Sequence, residues 1–153
     1  MKDAPPSTNC RSCTTVEALT HTVRQLEQRY RSLQVEATHD DLTGALRRNH
    51  FFDLSRRQFN LALRHRRPLS LLLLDLDHFK RLNDEHGHGF GDAALRRVAS
   101  LCQESLRETD IFGRYGGEEF AITLPETGQA SARIVAERIR QKVTAQGLTT
   151  PNG

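Results

Sequence analysis

Tryptophan is absent from the chain, methionine occurs once and tyrosine twice, so a core must be built from aliphatic residues and seven phenylalanines. Cysteine is scarce as well. Cys10, Cys13 and Cys102 are too few for a disulfide framework. Cys10-Arg-Ser-Cys13 is a lone C-x-x-C in a Pro/Ser/Thr-rich stretch. A structural zinc site takes four ligands and no second pair follows, so two free thiols are expected. No run approaches the roughly 18 apolar residues of a membrane span. The first eight residues have no apolar segment of the kind a secretory signal carries, which predicts a cytoplasmic protein. Charge of one sign is also lacking: the formal net charge is +3, with basic residues spread through every segment. The basic run Arg64-His65-Arg66-Arg67 has no interleaved aromatics for base stacking, and a helix C-terminus favours cations anyway. Nucleic acid is therefore not an expected partner.

What is present suffices for one folded domain. Hydrophobic residues make up 37% of 153, enough to fill a single core. Residues 1–13 read as a disordered tail, 14–38 as an amphipathic or coiled-coil helix, and 39–153 as the domain. Leu19, Val23, Leu26, Tyr30, Leu33 and Ala37 alternate by four and three, an a/d seam. That seam fits either a helix packed on its own domain or a short parallel coiled coil between two chains. A second helix is expected from about Arg47 to Arg66, with Phe52, Phe59 and Leu63 on one face, ended by Pro68.

Leu69 to Leu74 is continuously apolar, which predicts a central strand covered on both faces. It runs into Asp75-Leu76-Asp77. Asp77 fits the N-cap of a short helix over 78–85. Asp75 has no such role, and a carboxylate at the end of a buried strand calls for a partner or a metal. The stretch 83–92, with three glycines in five residues, predicts a loop whose flexibility makes a poor zinc cage for His86 and His88. Ala94, Leu95, Val98, Leu101, Cys102 and Ser105 then mark a helix with one buried stripe. Ile134, Val135, Ile139 and Val143 mark a last helix from about Gly128. Leu124-Pro125-Glu126-Thr127-Gly128 spells a sortase sorting signal, but no apolar span and basic tail follow, so a strand end before a helix is expected.

The stretch Arg114-Tyr115-Gly116-Gly117-Glu118-Glu119-Phe120 lies between two short apolar runs and predicts a glycine hairpin. Adjacent carboxylates repel unless a cation sits between them, and glycines let a bulky group lie against the backbone. That combination suits phosphate-plus-metal chemistry; a solvated hairpin is the alternative.

The order strand, two helices, hairpin, helix predicts an α+β fold with a ferredoxin-like, palm-type split β-α-β sheet. Four stretches together resemble the GGDEF diguanylate cyclases: Asp40-Asp41-Leu42-Thr43-Gly44, the run from Asp75 to Asp84, Gly87-His88-Gly89-Phe90-Gly91-Asp92, and the run from Arg114 to Phe120. The resemblance spans about residues 38–146. It implies a homodimer in which each of two GTP molecules attacks the other's α-phosphate, giving cyclic di-GMP and pyrophosphate, with two Mg²⁺ (or Mn²⁺) per active site. It further implies Asp75, the Leu76 carbonyl, Glu118 and Glu119 as metal ligands, with Glu118 the proton acceptor. Phe79, Lys80, Gly116 and Gly117 would meet the phosphates, Asn83 and Asp92 the guanine, and His88 would lie near the nucleotide. Arg107 and Asp110, an R-x-x-D, match the family's inhibitory product site. The family's last strand and helix, with their basic phosphate ligands, are not found after Gln146-Gly147-Leu148. The alternative is thus an inactive remnant that binds GTP or cyclic di-GMP, or pairs through its first helix.

Overall fold

A computed structural model describes residues 11–146 of the chain. Cys10, most of the expected tail and the last seven residues lie outside the described residues. The chain divides into two units between Ala37 and Thr38. The first contains one long helix, α1 (Arg11–Thr38), which begins inside the stretch expected to be disordered. Leu19, Val23, Leu26, Tyr30 and Leu33, the apolar seam, are all more than half exposed.

The second unit runs β1 (Leu46–Arg47), α2 (Arg48–His65), β2 (Leu69–Asp75), α3 (Phe79–His86), α4 (His88–Gln103), β3 (Ile111–Arg114), β4 (Glu119–Pro125) and α5 (Gln129–Ala145). The strands form one mixed sheet in the order β1-β3-β4-β2, with β1 parallel to β3 and the other pairs antiparallel. This is the expected α+β architecture. The short strand β1 is an addition, and its second residue, Arg47, stands where the second helix was expected to begin.

The central strand is β4, not β2. Phe120, Ile122 and Leu124 of β4 pack with Leu95, Val98 and Cys102 of α4 and Val135 and Ile139 of α5. The other face of β4, Ala121 and Thr123, is buried too, and Ser55 of α2 hydrogen-bonds the Thr123 hydroxyl at 2.7 Å. By contrast β2 is an edge strand among the described residues, as is β1. Leu72 and Leu74 pack on the core, while Leu71 and Leu73 are 56% and 71% exposed. An unbroken apolar run does not distinguish a strand covered twice from one covered once.

Four further expectations need correction. On α2 the packed side is Phe51, and Phe52, Phe59 and Leu63 are exposed. On α5, Ala132 joins Val135 and Ile139 inside, and Ile134 points to solvent. The glycine-rich stretch is not a loop: only Gly87, at φ +83°, separates α3 from α4, and Gly89 and Gly91 sit in the first turns of α4. Nor is Asp77 a cap. The residue before α3 is His78, in left-handed conformation with no capping hydrogen bond from its side chain.

Candidate active site

The β2–β4 pairing sets the site. Its register places Asp75, the last residue of β2, opposite Glu119, the first of β4. Directly opposed residues on an antiparallel pair have Cα atoms about 4.5–5.5 Å apart. Glu118, the last residue of the β3–β4 loop, precedes Glu119, so three carboxylates belong to one end of the sheet. Among the described residues none of the three is paired with a Lys, Arg or His. Opposed like charges destabilise a sheet, so this end favours a cation. Among the described residues no group of three or more His, Cys, Asp or Glu is arranged so that it could hold a metal ion. Carboxylate oxygens are the donor type that Mg²⁺ takes, so the chemistry of these side chains, rather than their present arrangement, fits such an ion.

The turn is shaped by what lies beside its glycines. A Cβ on Gly116 would sit 2.5 Å from Glu119 Oε2, whereas nothing lies within 4 Å of one on Gly117. Neither glycine has a positive φ; the space at Gly116 belongs to the Glu119 carboxylate, and the open face is that of Gly117. The amides of Tyr115 and Gly116 both donate to the Glu119 carbonyl, at 2.8 and 3.3 Å.

Two side chains of the turn are gripped from the start of the second unit, and neither grip was apparent from the sequence. Arg114 donates to the Gly117 carbonyl from Nε (3.0 Å) and Nη2 (2.6 Å), and from Nη1 to Asp40 Oδ1 (2.9 Å). Asp40 Oδ1 also accepts from the Thr43 amide and hydroxyl at 3.0 and 2.6 Å. Burial pushes the Asp40 carboxyl up, but the hydrogen bonds from Thr43 and Arg114 and the Arg114 charge outweigh it and hold it below the usual carboxylate range. The Arg48 guanidinium lies 4.5 Å over the Tyr115 ring, a cation–π contact, and Phe52 meets the same ring edge-on at 5.8 Å. The arginine, the aspartate and the tyrosine stand in quoted motifs, but partners 74 residues apart leave no local spacing signal.

The second group sits where α3 packs on α4. Gly91 is buried, and a Cβ there would fall 1.9 Å from Asn83 Oδ1 and 3.2 Å from Phe79 Cζ. Asn83 Oδ1 is buried without a hydrogen-bond partner among the described residues. Such an acceptor is rare in a finished fold and suits a ligand donor. Asp92 follows Gly91 on α4, His88 opens that helix, and Phe79 and Lys80 open α3. Phe79 is partly buried against the core and Lys80 is exposed.

Arg107 and Asp110 form a separate turn. The Arg107 amide donates to Asp110 Oδ2 at 2.9 Å and the Asp110 amide to the Arg107 carbonyl at 3.0 Å. Arg107 makes no ion pair among the described residues and lines an open cleft of about 690 Å³, together with Leu54, Arg57 and Gln58 of α2.

Comparison with known proteins accords with this geometry. Residues 37–152 match the family described as "Diguanylate cyclase, GGDEF domain". The chain is 37% identical over 131 residues to a probable diguanylate cyclase, DgcC, of Escherichia coli K12, covering 86% of this chain and 35% of the relative. It is 40% identical over 114 residues to the diguanylate cyclase DosC of the same strain, covering 74% of this chain and 25% of the relative. It thus spans only a quarter to a third of these relatives' lengths. The coiled coil and GGDEF domain of DgcB from Caulobacter crescentus, solved in complex with c-di-GMP, superposes with a TM-score of 0.82 at 30% identity, covering 90% of this chain and 72% of that one. The active GGEEF domain of a Vibrio cholerae diguanylate cyclase gives 0.65 at 38% identity, covering 71% and 69%. Sequence motifs, sheet order and these matches agree: the chain belongs to the GGDEF-domain diguanylate cyclase family.

Proposed function

We propose that this chain binds GTP at the Asp75–Glu118–Glu119 end of the sheet and condenses two GTP molecules, one on each of two chains, into cyclic di-GMP and two pyrophosphates. The observation that carries this reading is the β2–β4 register, which sets Asp75 against Glu119 beside the glycine turn. Asp75, Glu118, Glu119 and the Leu76 carbonyl would hold Mg²⁺ or Mn²⁺, two ions per site. When bound, the ions supply charge neutralisation on the phosphates and lower the pKa of the attacking hydroxyl. Glu118 accepts the proton of the 3′-hydroxyl. The open backbone at Gly117 admits the phosphates, with the Lys80 ammonium and the start of α3 at Phe79 beside them. Gly116 serves the site indirectly, by making room for Glu119.

Asn83, with its unpartnered Oδ1, and Asp92 read the guanine edge, and His88 borders the nucleotide. The reaction needs a two-fold pair of sites, and the exposed seam of α1 supplies a way to pair two chains. Cyclic di-GMP occupies the cleft beside Arg107 and Asp110, where arginine offers a fork for phosphate and a plane for stacking.

The test is Mg²⁺-dependent pyrophosphate release from GTP. Glu118→Gln, nearly isosteric, is expected to lower kcat by roughly 100-fold or more, since it removes both a metal ligand and the proton acceptor. Arg107→Ala is expected to keep turnover while relieving inhibition by added cyclic di-GMP. Binding of cyclic di-GMP without turnover by the wild type, abolished in Arg107→Ala, would favour a receptor instead.

A further inference from the structure

We infer that Arg114 is a positioning residue for the cyclase reaction: clamped between the Asp40 carboxylate and the Gly117 carbonyl, it fixes the glycine turn so that Glu118 is presented to the metal and the attacking hydroxyl. The inference rests on the cyclase reading above and adds to it a pair that touches neither substrate nor metal.

The geometry is that of a latch with two different ends. Two nitrogens of one guanidinium converge on a single carbonyl, that of Gly117, immediately before Glu118. The third nitrogen is tied to Asp40, which is itself fixed by two hydrogen bonds from Thr43. A planar fork can hold both partners at once, and a lysine ammonium on a flexible stem cannot reproduce that spread. The side chains of Asp40 and Arg114 are only 20% and 18% exposed, so the pair is less screened than the other ion pairs of the described residues, each of which has a more open partner. Gly117 itself offers no side chain to anchor the turn, and nothing else packs against the space where its Cβ would be. Without the clamp the turn keeps the two amide bonds to the Glu119 carbonyl and the contacts of Arg48 and Phe52 with the Tyr115 ring, all of them away from the Gly117 carbonyl. Asp40 lies two residues beyond the end of α1, so the latch also ties the point where the chain enters the domain to the turn that carries Glu118.

The experiment compares the full-length wild type with Arg114→Lys and Arg114→Ala, first by amide hydrogen exchange in the absence of nucleotide and metal. Exchange at Tyr115 and Gly116 is expected to quicken by about tenfold or more in both variants, while Ile122 in the centre of β4 keeps its wild-type rate. Unchanged exchange in the turn, or acceleration only in parallel with Ile122, would overturn the latch. Arg114→Lys keeps a cation beside Asp40, so it remains informative if Arg114→Ala does not fold. In turnover assays both variants are expected to lose about tenfold or more in kcat and to need more Mg²⁺, with the KM for GTP close to wild type. Wild-type kcat and Mg²⁺ dependence in Arg114→Lys would overturn it as well. Absence of turnover in the wild type would defeat the cyclase reading and leave the exchange rates to decide whether the turn is latched.

Discussion

Gly91 shows how much a single hydrogen in place of a side chain controls. A Cβ there would overlap Asn83 Oδ1, the one buried side-chain acceptor without a partner among the described residues. The overlapping atom is the end of a rotatable carboxamide, so Gly91→Ala is expected to turn Asn83 away rather than unfold α4. Alanine also favours the helix by about 1 kcal/mol over glycine, which offsets part of the strain. The melting temperature should therefore stay near wild type, while the KM for GTP rises roughly tenfold or more and discrimination against ATP falls, because a displaced amide no longer reads the base. Unaltered nucleotide preference in a folded Gly91→Ala would remove Asn83 from the guanine site.

At the scale of the element, α4 was the most legible helix, whereas the buried faces of α2 and α5 were not read correctly. The stripe Ala94, Leu95, Val98, Leu101 and Cys102 was readable because one face of a regular helix is buried whole. Burial among those residues pushes the Cys102 thiol up to about 12, as fits an inert core sulfur. The strands misled because apolar content was read as coverage. β4 is the covered strand although it carries Ala121 and Thr123 on one face: small side chains there and glycine at 113 let α2 approach closely, with Phe51 where a Gly113 Cβ would be. α2 lies over β3 and leaves the far edge open, so on β2 Leu72 and Leu74 are covered while Leu71 and Leu73 are exposed. The carboxylates, the asparagine and the R-x-x-D pair were singled out by motif, whereas the Arg114–Asp40 pair and the Arg48–Tyr115 contact were not, since each joins segments that only the fold brings together. The edge itself yields a prediction. Leu73→Lys, on the open face, is expected to change stability by no more than about 0.5 kcal/mol and to raise the concentration at which light scattering reports association, since lysine on an edge strand deters pairing. Leu74→Lys, one residue on but facing the core, should cost several times more. Equal effects of the two would contradict the division of β2 into an open and a covered face.

At the scale of the whole molecule, the proposed chemistry sets a condition that one copy cannot meet. In that proposal each site would hold one GTP and the nucleophile for it would belong to the GTP of another chain, so turnover would require encounter of two chains. Specific activity should therefore rise with protein concentration and level off once pairing is complete. The first unit is where that dependence can be tested without touching the site. Leu26 lies mid-seam on α1 and is 60% exposed, so Leu26→Asp removes little buried area and should leave the melting temperature of the domain within a degree or two of wild type. At an a/d position of a paired helix the same charge would be forced into an apolar seam in both copies. Sedimentation velocity is then expected to show a smaller species at equal concentration. Pyrophosphate release should fall roughly tenfold or more at low micromolar protein and recover in part when the concentration is raised. Linear loss of activity with no recovery on concentration, or full activity in a chain that sediments as a monomer, would separate α1 from the pairing of sites. The exposed seam would then have to be explained by contacts other than a second copy of this helix.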